Sequence, residues 1–251
     1  MIEFQNIRKV FSGVVALDSI SFRIEDGTAC GYIGPNGAGK TTTARIIVGL
    51  ETPDSGSVNI LGELIGKSKS EAQKRIGYVP ESPRLYESLT PAETIAVASL
   101  LKKKDKKTTL NRLNILSEIF SFSDSLHKPL HSLSKGTKQK IVISLALLFE
   151  PAILILDEPT DGLDVRSITA LKLIMKTFTS RGGTIFYCSH LLDIVEGVCD
   201  KVYIINEGRI TADFVKSDFM NKRGYLETAF LENIGSRNEE TLISAFFDSA
   251  G

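Results

Sequence analysis

Apolar and polar residues alternate through positions 2–10 and again through 20–24, a period of two that predicts strands with one exposed face. The start of the chain therefore reads as an antiparallel β layer. Positions 28–33 break that pattern with a short apolar run after an Asp26-Gly27 turn, as in a strand buried on both faces. Positions 41–50 switch to helical spacing. A turn follows at Pro53-Asp54-Ser55-Gly56, then strands at 57–61 and 76–79, the second ended by Pro80.

The middle of the chain changes character. Thr90, Pro91 and Glu93 supply an N-cap, a proline at the first helical position and an acid in the first turn, so a helix is predicted over 91–101 and another over 109–120. Between them runs Lys102-Lys103-Lys104-Asp105-Lys106-Lys107. A solvated helix end is the plain reading of that run, and contact with anionic lipid headgroups or an acidic partner the sharper one. From Ser134 the pattern returns to a helix reaching 149, a strand at 153–156, a helix at 165–180 and a strand at 184–188. Strands separated by helices imply a largely parallel sheet. The chain thus divides into an α/β domain over 1–212, with its core at 1–82 and 133–212 and a helical insertion at about 83–132. A helical extension is expected over 213–251.

Charge narrows the function classes. In 251 residues, 30 Lys and Arg balance 30 Asp and Glu. That neutrality offers no general field for DNA or RNA, and no nucleic-acid partner is expected. Cys30, Cys188 and Cys199 lie in or beside apolar runs without metal-ligand spacing, as buried thiols would. The longest apolar stretches, 145–149 and 152–156, are separated by Glu150-Pro151 and fall far short of the ~20 residues of a membrane span. The first residues lack the basic and apolar regions of a signal peptide.

The strongest chemical signal is Gly34-Pro35-Asn36-Gly37-Ala38-Gly39-Lys40-Thr41, a complete G-x-x-x-x-G-K-[ST] loop between a predicted strand and a predicted helix. Glycines let successive N–H groups turn inward around phosphate oxygens at a helix N-terminus. Lys40 then reaches the β- and γ-phosphates. Thr41 offers a hydroxyl to Mg²⁺, and Thr42 is placed for another phosphate oxygen. Much later, Ile153-Leu154-Ile155-Leu156-Asp157-Glu158 is an apolar strand ending in two carboxylates, at the sheet edge where ligands of such folds bind. Asp157 suits the Mg²⁺ shell. Glu158 is placed to polarise the water that attacks the γ-phosphate.

With these motifs assembled, the chain resembles the ATP-binding subunit of an ATP-binding cassette (ABC) transporter over about residues 1–212. Leu133-Ser134-Lys135-Gly136-Thr137 is similar to the family's LSGGQ signature, 159–164 to its D-loop, and Tyr187-Cys188-Ser189-His190 to its switch histidine. Phe11, before Val15-Ala16-Leu17, matches the aromatic that stacks on adenine. The resemblance implies an α/β P-loop NTPase core with a parallel sheet, an antiparallel β layer and a helical subdomain. It implies ATP and Mg²⁺ as ligands, and two subunits, here as a homodimer, meeting head to tail.

On that resemblance Ser134 and the N–H of Gly136 face the γ-phosphate bound by the other subunit, His190 hydrogen-bonds it, and Asp164 links the two sites. A separately encoded transmembrane permease is the implied partner, holding the chain at the cytoplasmic face of the cell membrane. Two positions depart from the usual pattern. Glu81 stands where the family usually has glutamine, keeping an oxygen for Mg²⁺ while adding a charge. Lys135 replaces a glycine, and Thr137 a glutamine. Both the glutamate and the S-K-G form resemble exporters whose membrane domains are of the ABC-2 type. The alternative class is a soluble ABC ATPase acting on DNA, ribosomes or protein complexes. Such relatives usually carry tandem cassettes, coiled coils or zinc insertions, which this sequence does not display.

Overall fold

The computed structural model describes residues 1–65, 71–220, 222 and 224–234. Its first strands, β1 (Ile2–Phe11) and β2 (Val14–Ile24), pair as an antiparallel hairpin. Ser12 and Gly13 both take positive φ, the turn geometry whose twist matches that of the flanking strands. β3 (Ala29–Ile33) leaves this layer, and α1 (Lys40–Ile47) follows it. β4 (Ser55–Ile60) and β5 (Glu63–Leu64) return to complete a four-stranded sheet in the order β2-β1-β4-β5.

After α2 (Glu71–Lys74) and β6 (Ile76–Val79) the helical insertion is α3 (Pro91–Leu101) and α4 (Lys106–Ile119). The anticipated N-terminus of α3 is a full capping box, in which Thr90 accepts from the Glu93 N–H and the Glu93 carboxylate accepts from the Thr90 N–H. The chain then runs through α5 (Lys135–Leu148), β7 (Ile153–Asp157), α6 (Val165–Ser180), β8 (Thr184–Ser189), α7 (Leu192–Val198), β9 (Lys201–Asn206) and β10 (Arg209–Val215). α8 (Lys216–Phe219) and α9 (Tyr225–Ile234) close the described chain.

The second sheet has the order β10-β9-β3-β8-β7-β6. All its pairings are parallel except β9 with β10. Both faces are covered, and β7 shows how. Ile153 and Ile155 join a cluster with the first sheet and α1, whereas Leu154 and Leu156 join the cluster formed with the later helices. Stacked rings of Phe4, Phe22 and Phe186 tie the two sheets together. Every residue of β3, β7 and β8 is buried, as the continuous apolar runs of a doubly covered parallel sheet require.

Several boundaries differ from expectation for local reasons. β2 begins at Val14 because the hairpin turn extends the pairing back to Phe11, past the exposed Val14 and Val15 that break the alternation. β4 begins inside the expected turn, at Ser55. α4 starts at Lys106 because Asp105, within the lysine run, caps it by accepting from the Thr108 N–H at 2.7 Å. α1 ends at Ile47, ahead of the left-handed Gly49.

α7, β9 and β10 were not anticipated, and sheet pairing in β10 runs to Val215, three residues past 212. Asp213, expected to open a helical tail, is therefore a strand residue paired with Tyr203. The helices after it do not stand apart, since Phe219, Leu226 and Ala229 are buried against the core. Residues 235–251 of the expected extension lie outside the described residues. Among the described residues no helix is long and apolar enough to cross a membrane.

Candidate functional site

Four parallel strands deliver the site. β3, β8, β7 and β6 are neighbours with a common direction, so the residues just past their carboxyl ends meet at one edge: Gly34–Thr42, Ser189–His190, Asp157–Glu158 and Glu81. A cleft of about 190 Å³ opens there, lined by Ala16, Asn36, Gly37, Gly39, Lys40, Thr41, Thr42, Glu81 and Glu158.

The loop is shaped from behind. A Cβ on Gly34 would sit 2.2 Å from the Ile205 carbonyl oxygen. Gly39 has φ +112°, and a Cβ there would lie 2.7 Å from Leu17 and 2.8 Å from the Ala16 carbonyl. β2 and β9 thus press the loop from both sides. The Gly208 N–H donates to the Ala38 carbonyl at 3.0 Å and fixes the loop's far side. Lys40 is nearly buried, donating to the carbonyls of Gly34 at 2.7 Å and Pro35 at 3.1 Å.

The carboxylates have unusual surroundings. Both oxygens of Asp157 and both of Glu158 are buried without a hydrogen-bond partner. Burial pushes the Asp157 carboxyl up to about 6, with Thr41 opposing and Glu81 and Glu158 reinforcing the rise. Glu158 lies 3.8 Å from the Lys40 ammonium and 3.0 Å from Nδ1 of His190. Its backbone is left-handed at φ 46°, and its N–H donates to the Cys188 carbonyl at 3.0 Å. A non-glycine residue in that region costs about 1–3 kcal/mol, offset here by the pairing of Asp157 with Cys188 just before it and by its own N–H bond to the Cys188 carbonyl. Thr41 Oγ1 is 3.4 Å from Glu81 Oε2, a long hydrogen bond across the mouth of the cleft.

This donor set fits a hard cation. Mg²⁺ takes few protein ligands, all oxygen, and keeps waters and substrate phosphates for the rest. Thr41, Asp157 and Glu81 offer a hydroxyl and carboxylates, and the buried Asp157 oxygens, with no well-aligned protein donor, fit the role of cation ligands. No cluster of three His, Cys, Asp or Glu forms a self-sufficient metal site among the described residues.

The remaining sequence candidates are placed elsewhere. Ser134 caps α5, accepting from the Thr137 N–H at 3.2 Å, and Gly136 packs so closely on Gly162 that a Cβ would lie 2.3 Å from its carbonyl. Asp164 caps α6 and accepts from Lys140 at 2.7 Å, an arrangement that holds its carboxyl well below the usual range. Lys135 pairs with Asp161 at 2.5 Å, and Gln139 donates to the Pro159 carbonyl at 3.0 Å. None of Ser134, Gly136 and Asp164 lines the cleft. Together they form a second cluster, in which the start of α5 is bolted to residues 159–164.

Phe11 is also outside the cleft lining, 40 % exposed at the hairpin tip, with the Lys9 ammonium 4.9 Å above its ring. Sequence reading missed Ala16, Lys140, Gln139, Ile205 and Gly208. Only Ala16 and the Gln139-Lys140 pair, beside motifs already noted, carried a local signal.

A mixed α/β cassette with a glycine loop and paired carboxylates at one sheet edge, plus a helical insertion, defines the class of ABC ATPases. A family model described as "ABC transporter" matches residues 17–161. This chain belongs to that family and is an ATP-binding, ATP-hydrolysing subunit of an ABC transporter. It is 32 % identical over 244 residues to the linearmycin resistance ATP-binding protein LnrL of Bacillus subtilis (strain 168), covering 97 % of this chain and 78 % of that one. Against the bacitracin transport ATP-binding protein BcrA of Bacillus licheniformis the identity is 36 % over 230 residues, covering 90 % and 74 %. A solved ATP-binding subunit of an ABC transporter superposes with a TM-score of 0.81 at 30 % identity, covering 97 % of this chain and 98 % of that one.

Proposed function

We propose that this chain powers an exporter, as one of two identical subunits that close head to tail around Mg-ATP beneath a separately encoded permease. The observation that carries the reading is the juxtaposition of Lys40, Glu158 and His190 at the end of the parallel sheet, within 3.8 Å and 3.0 Å of the central carboxylate. Three relatives supply the direction, being named for linearmycin resistance, bacitracin transport and Nod factor export.

In this reading the N–H groups of 36–42 hold the phosphates, and Lys40 exchanges the Gly34 and Pro35 carbonyls for phosphate oxygens. Thr41, Asp157 and Glu81 would hold Mg²⁺, which would supply positive charge to stabilise the phosphates during transfer. Glu158 accepts the proton of the attacking water. His190 donates to the γ-phosphate and keeps the Glu158 carboxylate aimed at the water. Phe11 offers its open face to adenine.

Ser134 and Gly136, at the N-terminus of α5, contribute to the site of the partner subunit, and Asp164 sits at the seam. The loop 83–86, with exposed Tyr86, and the helical insertion meet the permease. ATP binding closes the pair and hydrolysis releases it, a two-state change driven by differential affinity. The deciding experiment is size-exclusion chromatography of Glu158→Gln with Mg-ATP. The reading requires an ATP-loaded dimer; a monomer with ATP bound would overturn the head-to-tail arrangement.

A further inference from the structure

The lysine run between α3 and α4 is not used by the site or by the proposed dimer. The structure places it at an exposed corner. Residues 100–108 are exposed without interruption, and Leu100 and Leu101, at 75 % and 80 % exposure, directly precede the lysines. Val97, at 43 % exposure, lies one helical turn before them on the same stripe of α3. The turn is built, with the Lys103 N–H donating to the Leu100 carbonyl at 3.1 Å and the Lys104 N–H to the Ser99 carbonyl at 2.9 Å. Lys103 takes φ 52°.

The cations are largely unneutralised. Asp105 is the one acid of the run, and its carboxylate is committed to the Thr108 N–H. Lys102 is anchored on the Lys74 carbonyl at 3.2 Å. Lys103, Lys104, Lys106 and Lys107 have no ion-pair partner among the described residues. A corner that joins three exposed aliphatic side chains to a dense basic turn has the chemistry of an interfacial anchor, with an apolar wedge for the acyl boundary and ammonium groups for the headgroups.

We propose that the α3–α4 turn docks directly on an anionic phospholipid surface, through Leu100 and Leu101 with Lys103, Lys104, Lys106 and Lys107, independently of any permease. The occupant is a lipid surface because charge and apolarity are presented together along one uninterrupted exposed stretch, 100–108. An acidic protein groove would need an enclosing shape, whereas a plane of headgroups does not.

The test is co-sedimentation of the purified full chain with vesicles, in the absence of permease. Vesicles with a third of their lipid as phosphatidylglycerol are expected to retain the chain, and pure phosphatidylcholine vesicles to leave it in solution. Lys103→Gln, Lys104→Gln and Lys107→Gln together are expected to lower partitioning about 100-fold, about fivefold per lysine near the surface. Leu100→Ser with Leu101→Ser is expected to lower it about tenfold. Raising salt from about 0.1 M to about 1 M, which cuts the screening length from roughly 10 Å to roughly 3 Å, is expected to release the chain.

Both variants lie away from the nucleotide site and are expected to keep wild-type ATP hydrolysis, which certifies their fold. No retention on anionic vesicles overturns the proposal, as does retention unchanged in both variants. Retention of the chain by an acidic protein surface while anionic vesicles fail to hold it has the same consequence.

Discussion

Nδ1 of His190 stands 3.0 Å from Oε2 of Glu158, while the Lys40 ammonium approaches the other carboxylate oxygen at 3.8 Å. The Lys40 ammonium and the His190 ring flank one buried carboxylate, yet neither gives it a well-aligned hydrogen bond. The carboxylate is held in place by charge and left open to accept a proton. Glu158→Gln is therefore expected to keep ATP affinity and lose at least 100-fold in turnover, within the range a general base supplies. A phosphate-release assay beside equilibrium nucleotide binding measures both. His190→Ala should lose turnover with affinity nearly intact, since its ring acts on the reacting end alone.

The phosphate loop depends on contacts behind it as much as on its own residues. Gly34→Ala is expected to abolish ATP binding although Lys40 and Thr41 remain, because the new methyl would meet the Ile205 carbonyl at 2.2 Å. Lys40→Ala should abolish binding as well, but without the fall in melting temperature expected for Gly34→Ala. Isothermal titration and thermal unfolding of the two variants separate the causes.

Asp157 gives a pH signature. Burial raises its carboxyl to about 6, so the folded chain holds that proton more tightly than the unfolded chain does. The stability this confers is fully present below the ordinary carboxylate pKa of about 4 and is lost as pH rises through about 6. Asp157→Asn is expected to melt higher than the parent at pH 8 without nucleotide, by up to roughly 3 kcal/mol, and to match it near pH 4. Its Mg-dependent hydrolysis should be lost throughout. Thermal unfolding across that pH range checks the sign.

Asp164 behaves oppositely. Its lowered carboxyl contributes stability above the ordinary carboxylate pKa, lost only as pH falls below it. Asp164→Ala removes the α6 cap and leaves the nearly buried Lys140 unpaired, with an expected cost of about 1–2 kcal/mol. Asp164→Asn keeps the cap and is expected to recover roughly half, by thermal unfolding at pH 7.

Lys9 is bound to the Thr52 carbonyl at 2.8 Å and lies over one face of Phe11. Lys9→Met is expected to raise KM for ATP severalfold with kcat unchanged if Phe11 is the adenine platform proposed above, because it loosens that ring and leaves the phosphate end untouched. Steady-state kinetics with ATP measure the split.

The parts of the site that could be read in the chain are those whose chemistry is local. A glycine loop after an apolar run, an apolar strand ending in Asp157-Glu158 and a Thr90-Glu93 capping box each need only neighbouring residues. The α/β class followed from the alternation of such segments, and the solved relatives share it. What escaped is what folding brings from afar. Nothing near Gly34 announces Ile205, and nothing near Asp164 announces that Lys140 will neutralise it. β10 is a different case: Arg209–Val215 alternates exposed and half-buried positions without a break, so its period of two was legible in the chain and was overlooked, and it pairs with the apolar β9.

The backing of the phosphate loop by Ile205 and Gly208 also sets an order of events during synthesis. A growing chain that has emerged only as far as residue 200 already carries every phosphate-binding residue and both terminal carboxylates of β7. It still lacks the strand against which Gly34 rests and the amide that holds Ala38. On the ribosome, nucleotide can therefore be gripped only after Ile205 and Gly208 have emerged. A fragment cut before β9 would display the motif in full and bind nothing.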